Sequence, residues 1–312
     1  MLGLAALGPA RASGVTPEQV TLRAVRAETP PKLDGVLDDD CWKTAPECTG
    51  FIDSATRKAA DPQTVVKICY DDYAIYVAFH AIQPEPGRIR AEEKKRNGSG
   101  MGKDDFVAVN IDSRHTHRGQ SWFDVNPIGT QSENMERSSS SNIEFKGDWQ
   151  AGAKIVADGY NVEMAIPFSV LIYDNKQGAF GISFRRWHGD RQMWSVWPDL
   201  NGTDDLNYYA HLEGLDLPKI VQRPKMLGYI LGTSGADEPR SAYQGFDLKY
   251  PFSADSLGVL SINPDFKTVE QEVESVDFSY TERLLDDSRP FFQEWQLPVD
   301  QRVFYSRRVD DF

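Results

Sequence analysis

The stretch Trp149–Ile166, WQAGAKIVADGYNVEMAI, decides the fold class. Trp149, Ala151, Ala153, Ile155 and Ala157 share one face of an extended strand, because successive side chains of a strand point to opposite sides. Tyr160, Val162, Met164 and Ile166 do the same after Asp158-Gly159, a dipeptide that supplies the positive φ angles of a two-residue hairpin. Pro167 has no N–H to give to a ladder and is expected to end the pairing. A hairpin with this pattern predicts a β-rich chain.

Further strands are expected on both sides of it. Val66, Ile68 and Tyr70 alternate within Thr64–Tyr70, and Ile75, Val77 and Phe79 within Ala74–His80. Asp105–Asp112 carries Val107, Val109 and Ile111 on one face, and Ser121–Asn126 sets Phe123 and Val125 against Trp122, Asp124 and Asn126. Phe180–Arg186 and Met193–Trp197 follow the hairpin, and Met135–Asn142 reads as a polar, serine-rich loop. Short strands punctuated by turns predict an antiparallel, jelly-roll-like β-sandwich of two sheets. Before them, Leu37–Trp42 reads as a helical turn with an Asp N-cap and Trp42 as a core plug.

Three segments follow from this reading. Residues 1–19 form a signal-peptide remnant or a disordered tail: Leu2–Leu7 is apolar and Ala10-Arg11-Ala12 resembles a small-residue cleavage site. Residues 20–218 form the sandwich. Residues 219–312 form an incomplete β-rich extension, with possible strands at Met226–Leu231, Gly245–Tyr250 and Leu257–Ile262 and aromatic-basic clusters at Arg289–Phe292 and Phe304–Arg308. An exported location follows, in the periplasm, the outer membrane or outside the cell. Such a compartment permits a Cys41–Cys48 disulfide; three small buried thiols are the alternative.

The net charge of -13 and the lack of a Lys/Arg stripe argue against a nucleic-acid partner. The mixed run Glu92–Arg96 reads as a solvated loop or helical turn. No run of about 18 apolar residues exists to form a transmembrane helix. No phosphate-binding loop, zinc-protease helix or nucleophile elbow appears, and no organic cofactor is expected. His115 and His117 flank Thr116 as a metal pair would, but Arg114 and Arg118 favour a surface turn. Asp124, Glu133 and Glu163 are available for paired-carboxylate chemistry, though nothing in the sequence selects them.

Aromatic residues give a clearer signal. Sugars offer apolar C–H faces to indoles and hydroxyls to a polar rim. Trp122, Asp124 and Asn126 fall on one strand face, Ser183, Arg185 and Trp187 on a second, and Ser195 and Trp197 on a third. Coincidence of those faces would make a sugar platform.

The segments PPKLDGVLDDDCWKTAP, VVKICYDDYAIYVAF, DDFVAVNID, WFDVNPIGTQ, DGYNVEMAIPFSVL and GISFRRWH occur in the order found in family 9 carbohydrate-binding modules. Residues 30–215 therefore resemble that family. The resemblance implies an exported, non-catalytic sandwich that binds oligosaccharides or polysaccharides of the xylan or cellulose type in carbohydrate catabolism, often attached to glycoside hydrolases. Trp197, within Val196-Trp197-Pro198-Asp199, matches one of two sugar-sandwiching tryptophans. The other falls at Met101–Asp104, which has no aromatic residue. The family's sugar-binding Arg falls at Asp124, its Glu near Ala108, and a neighbouring Asn at Asn126. The resemblance also implies structural calcium, for which Asp104, Asp105 and Asp112 offer hard oxygen ligands. The segments SINPDFKTVEQEVESVDFSYTERLLDDSRPFFQE and FYSRR resemble the start of an outer-membrane β-barrel region in a bacterial group of unknown function. That second resemblance implies an alternative role as the soluble cap of a truncated barrel protein, with the sugar site lost. Being part of a glycoside hydrolase is a further alternative.

Overall fold

A computed structural model describes residues 20–134, 148–173, 178–218, 224–233, 241–253 and 256–263 of the 312-residue chain. In chain order the elements are β1 (Thr21–Arg23), β2 (Val25–Arg26), α1 (Asp40–Thr44), β3 (Glu47–Cys48), β4 (Ile52–Asp53), β5 (Thr64–Tyr70), β6 (Ala74–Ile82), β7 (Phe106–Asp112), β8 (Ser121–Val125), β9 (Gln131–Asn134), β10 (Gln150–Val156), β11 (Gly159–Pro167), β12 (Ala179–His188), β13 (Met193–Trp197), β14 (Ala210–Glu213), β15 (Lys225–Thr233), β16 (Ser241–Ser253) and β17 (Ser256–Ile262). An eight-stranded sheet runs β1-β14-β12-β7-β8-β9, with β13 and β4 extending it beside β12. A six-stranded sheet runs β10-β11-β6-β5-β2, with β3 also on β5. Their pairings are antiparallel except for the short β1–β14 and β2–β5 pairs. The fold is a β-sandwich.

The alternation read from the sequence builds its core. Val66, Ile68, Ile75, Val77, Phe79, Tyr160, Val162, Met164 and Ile166 from one sheet meet Val107, Val109, Ile111, Phe123, Val125, Phe180, Ile182 and Phe184 from the other. All are fully buried, so this layer supplies most of the hydrophobic stabilisation, at about 25 cal/mol per Å² of apolar surface removed from water. A satellite cluster lies on the outer face of the six-stranded sheet. There α1 seats Trp42 over β5, β6 and β11, and Trp42 Nε1 donates to Glu163 Oε1 at 2.8 Å. Trp42 is 1% exposed, the core plug expected of it. Burial pushes the Glu163 carboxyl up, while Trp42 and the Gly35 and Asp34 amides pull it down.

The hairpin forms with its turn one residue earlier than Asp158-Gly159 implies. Val156 pairs with Gly159, which leaves Ala157-Asp158 as the connection. Gly159 is demanded instead by close approach: a Cβ there would sit 2.1 Å from the Ala81 carbonyl oxygen of β6. Pro167 is the last residue of β11, paired with Ala74. The Glu92–Arg96 run is not simply solvated. The Glu92 and Glu93 amides donate to Asp104, and Arg96 forms an ion pair at 2.8 Å with the buried Glu133.

Strands β15, β16 and β17 form a separate antiparallel meander over the stretch where three strands were expected. No helix among the described residues is long and apolar enough to cross a membrane. The expected leader in 1–19, the Met135–Asn142 loop and the clusters at Arg289–Phe292 and Phe304–Arg308 lie outside the described residues.

Candidate functional site

The outer face of the eight-stranded sheet carries most of the polar and aromatic residues singled out in the sequence. Register places Ser132, Asp124, Ala108, Arg185 and Val196 in one row across β9, β8, β7, β12 and β13. The next row is Asn134, Trp122, Asn110 and Ser183. On the other side of the Asp124 row stand Phe106, Trp187 and Trp194. Alternation within each strand puts these residues opposite the core set. Asp124 and Arg185 thus flank Ala108, two inter-strand spacings or about 10 Å apart at the backbone.

Asp124 is half-buried and its carboxyl accepts no hydrogen bond among the described residues. The surrounding protein pushes that carboxyl well above the usual carboxylate range; Arg185 opposes the shift and Glu133 adds to it. Arg185 directs Nη1 to Asp204 at 2.7 Å and Nη2 to the Tyr209 hydroxyl at 3.1 Å. Its Nε is buried with no acceptor. Tyr209 in turn is held by Asn110, whose Nδ2 donates to it at 3.2 Å, and by Gln120, to which its hydroxyl donates. Trp122, beside Asp124 on the same strand face, is half-buried and has no hydrogen-bond partner among the described residues. Trp187 donates Nε1 to the Gly102 carbonyl at 3.0 Å and lies 5.2 Å from Trp194, which meets Phe106 edge-on at 5.3 Å.

The structure therefore brings Trp122, Asp124, Arg185 and Trp187 onto one face. It does not bring Trp197 there. Phe184 pairs with Trp197 and Arg185 with Val196, so Ser195 and Trp197 point inward. Trp197 stacks on Phe184 at 5.6 Å and packs against the core. The alternation along β13 is as read, but its phase against β12 is opposite, and Trp194 occupies the face assigned to Trp197. Asn126 shares the strand face but not the role. It is 0% exposed; Nδ2 donates to the Glu93 carbonyl and to Asp104 Oδ2, and Oδ1 accepts from the Ile128 and Thr130 amides. Both donors and both acceptor sites are used, which leaves none for a sugar. Trp194, Tyr209 and Asn110 were not singled out, because only strand pairing reveals that they border Arg185.

The residues offered for calcium do not fit one ion. Asp104 and Asp105 precede β7 and Asp112 ends it, about 23 Å from Asp105 at strand rise. Asp104 accepts three hydrogen bonds, from the Glu92 and Glu93 amides and Asn126, and Asp112 accepts from the Thr116 and His117 amides. Asp105 accepts from the Arg90 amide. No group of three or more metal-ligating side chains among the described residues is arranged to hold an ion. His115 and His117 pack with His211, at ring-centroid distances of 5.0 Å and 4.5 Å from His115. The three carboxylates considered for paired chemistry do not face one another. Asp124 lies on the outer face of one sheet, Glu163 on the outer face of the other under Trp42, and Glu133 is bound to Arg96.

Two structures of a family 9 carbohydrate-binding module from Caldicellulosiruptor kristjanssonii, one in complex with cellotriose and one with glucose, align at 18% identity and a TM-score of 0.46. Each alignment covers 62% of this chain, and 92% and 94% of the respective module. A protein from Bacteroides uniformis aligns at 11% identity and a TM-score of 0.48, over 62% of this chain and 99% of its own. No curated protein matches the chain. The profile of the carbohydrate family 9 binding domain-like family matches residues 33–210, which span more than half of the 312 residues and contain both sheets' central strands and every residue of the outer-face site. The chain belongs to the carbohydrate family 9 binding domain-like family.

Proposed function

We propose that the chain binds carbohydrate on the outer face of the eight-stranded sheet, with a sugar seated over Ala108 between Asp124 and Arg185. The observation that carries this reading is the Asp124 carboxyl, which has no hydrogen-bond partner among the described residues, while Arg185 Nε lacks an acceptor among them. An open carboxyl beside a guanidinium can take a ligand's hydroxyls, and a hydrogen bond to a charged group contributes about 1.5–3 kcal/mol. Of two neighbouring hydroxyls, one donates to Asp124 and the next accepts from Arg185. Trp122 offers an indole to the sugar's C–H face, and Trp187 and Trp194 bound the platform on its far side. Family membership makes oligosaccharides of the cellulose and xylan type the first ligands to test, with an exported role in polysaccharide catabolism. Titrating the full chain with cello- and xylo-oligosaccharides should give a saturable tryptophan fluorescence change. Asp124→Ala should weaken it about 10–100-fold, the loss of a hydrogen bond to a charged group. Binding that survives both Asp124→Ala and Trp122→Ala removes the site from this face. A flat response over a broad sugar panel removes the carbohydrate reading.

A second reading concerns residues 219–312 and a bilayer. Met226, Ile230, Tyr250, Leu260 and Ile262 are exposed, and register aligns Met226 with Leu248 and Leu260, and Phe246 with Ile262, on one face. Asp247 lies on the other face, where Ser261 hydrogen-bonds it. A row of exposed apolar side chains along one face is what the outward side of a membrane-barrel strand presents to lipid. This pattern supports an outer-membrane attachment for the segment. Flotation of the full chain with phosphatidylethanolamine/phosphatidylglycerol vesicles tests it, and a protein that stays in the aqueous fraction contradicts it.

A further inference from the structure

The three cysteines divide between the two faces of the six-stranded sheet. On β5, Val66 and Ile68 point to the main core, whereas Lys67 and Cys69 point outward. Cys48 pairs in register with Val66 and joins the main core, so it lies inside the sandwich. Cys41 is on α1, which lies on the outer face. Lys67 Nζ donates to the Trp42 carbonyl at 2.9 Å, and Trp42 is tied to Glu163. With α1 fixed at that point, Cys41 packs in one buried cluster with Cys69, Trp42, Ala74 and Tyr76. Each of the Cys41 and Cys69 thiols lies close enough to shift the other's titration. All three cysteines are reduced and buried.

We propose that Cys41 and Cys69 are a disulfide pair, closed when the chain meets a disulfide oxidant, and that Cys48 remains a thiol. This differs from the Cys41–Cys48 bond that sequence proximity offers. The six-stranded sheet separates Cys48 from Cys41, while Cys69 shares the buried cluster of Cys41. In the reaction, one protein thiolate attacks the oxidant's S–S bond to give a mixed disulfide and releases one small thiol. The second protein thiolate displaces the other small thiol. Two protein thiols and one small disulfide thus become one protein disulfide and two small thiols, with both electrons and both protons passing to the oxidant. Burial raises both protein thiols above the ordinary range, which disfavours the attacking thiolate in the closed state. Oxidation therefore proceeds as the chain folds or when the short α1 lifts. The bond would fasten the segment that carries Trp42 to the centre of the sheet.

The full chain, purified in reductant, is unfolded and refolded in a glutathione buffer containing the oxidised form, then alkylated and mapped by mass spectrometry. The expected result is a mass loss of about 2 Da before alkylation, a peptide linking Cys41 to Cys69 and a single alkylated site at Cys48. The oxidised protein should melt about 5–10 °C above the reduced one. Cys48→Ala should keep the mass loss, and Cys41→Ala and Cys69→Ala should each abolish it. Three alkylated thiols in refolded protein with native circular dichroism would overturn the pairing. A linked peptide that contains Cys48 would do so equally.

Discussion

Replacing Asp124 by Asn separates a binding role from a structural one, because the two predict opposite changes in stability. A carboxylate that holds the fold together loses bonds on substitution, and the protein weakens. Asp124 has no such bonds to lose. Its carboxyl is crowded by protein, receives no N–H or O–H from the described residues and is pushed well above the usual carboxylate range by desolvation, with Arg185 offsetting only part. An acid whose folded pKa is raised contributes most to stability below its unfolded value, near 3.8, and loses that contribution as pH rises through the folded value. The Asn variant stays neutral throughout. Its advantage should therefore be small at pH 4 and grow towards neutrality. The amide still lacks a partner, so the gain is the charged penalty less the neutral one, about 1 kcal/mol or more at pH 7. For a domain of this size that is a rise of about 2–4 °C in melting temperature. Thermal unfolding by circular dichroism at pH 4, 5.5 and 7 reads the effect, and an oligosaccharide titration of the same variant should show weaker binding. A variant less stable than the parent at pH 7, with sugar binding intact, would refute the reasoning.

Two further perturbations address the scaffold. His188 is fully buried and hydrogen-bonded to Ser195, and its imidazole is lowered from 6.5 to about 3 by burial first and then by Arg186 and Arg191. Below pH 6.5 the unfolded chain takes up a proton that the folded one refuses, so stability falls with acid by up to about 1.4 kcal/mol per pH unit. Urea titrations between pH 6.5 and 5, above the range of ordinary carboxylates, should show this slope in the parent and lose it in His188→Gln; equal slopes would contradict it. Trp42→Phe keeps most of the buried apolar surface but removes the donor to Glu163, and should cost about 1–3 kcal/mol in urea unfolding at pH 7. A cost under about 0.5 kcal/mol would show that the Gly35 and Asp34 amides satisfy Glu163 alone.

What the sequence made legible follows from what alternation encodes. Thr64–Tyr70 and Met193–Trp197 form strands with the expected bounds, and the expected hairpin forms with the expected residues on its core face, because side-chain period is a local property. The turn lies one residue early because Gly159 answers a demand from β6, a neighbour in space that lies far off in the sequence. Trp197 shows the same limit more sharply. Alternation gives the two faces of β13 but not which one continues the Arg185 face of β12. A shift of one residue in pairing exchanges them, and here the exchange sends Trp197 to the core and brings Trp194 out. The cysteines repeat the lesson: nearness in sequence favours Cys41 with Cys48, whereas the sheet sets Cys41 on Cys69.

Asp124 and Asn126 state the remaining difficulty in two residues. Both are short polar side chains on one face of the same strand segment, and the family resemblance assigns both to the sugar. Asn126 lies just past β8, where the chain turns back, and it closes that turn by bonding the Ile128 and Thr130 amides and the Glu93 carbonyl. Asp124 lies one pleat earlier, inside the sheet, where the backbone N–H and C=O groups are engaged in the ladders to β7 and β9. No main-chain group is left to reach its carboxyl. The same residue chemistry is thus structural at the strand's end and unsatisfied at its middle, and position within the ladder decides which. The resemblance puts a sugar-binding Arg at Asp124; in this chain the positive charge beside Ala108 comes from Arg185 on β12. Sugar hydroxyls, which both donate and accept, allow one fold to present either charge to the same class of molecule.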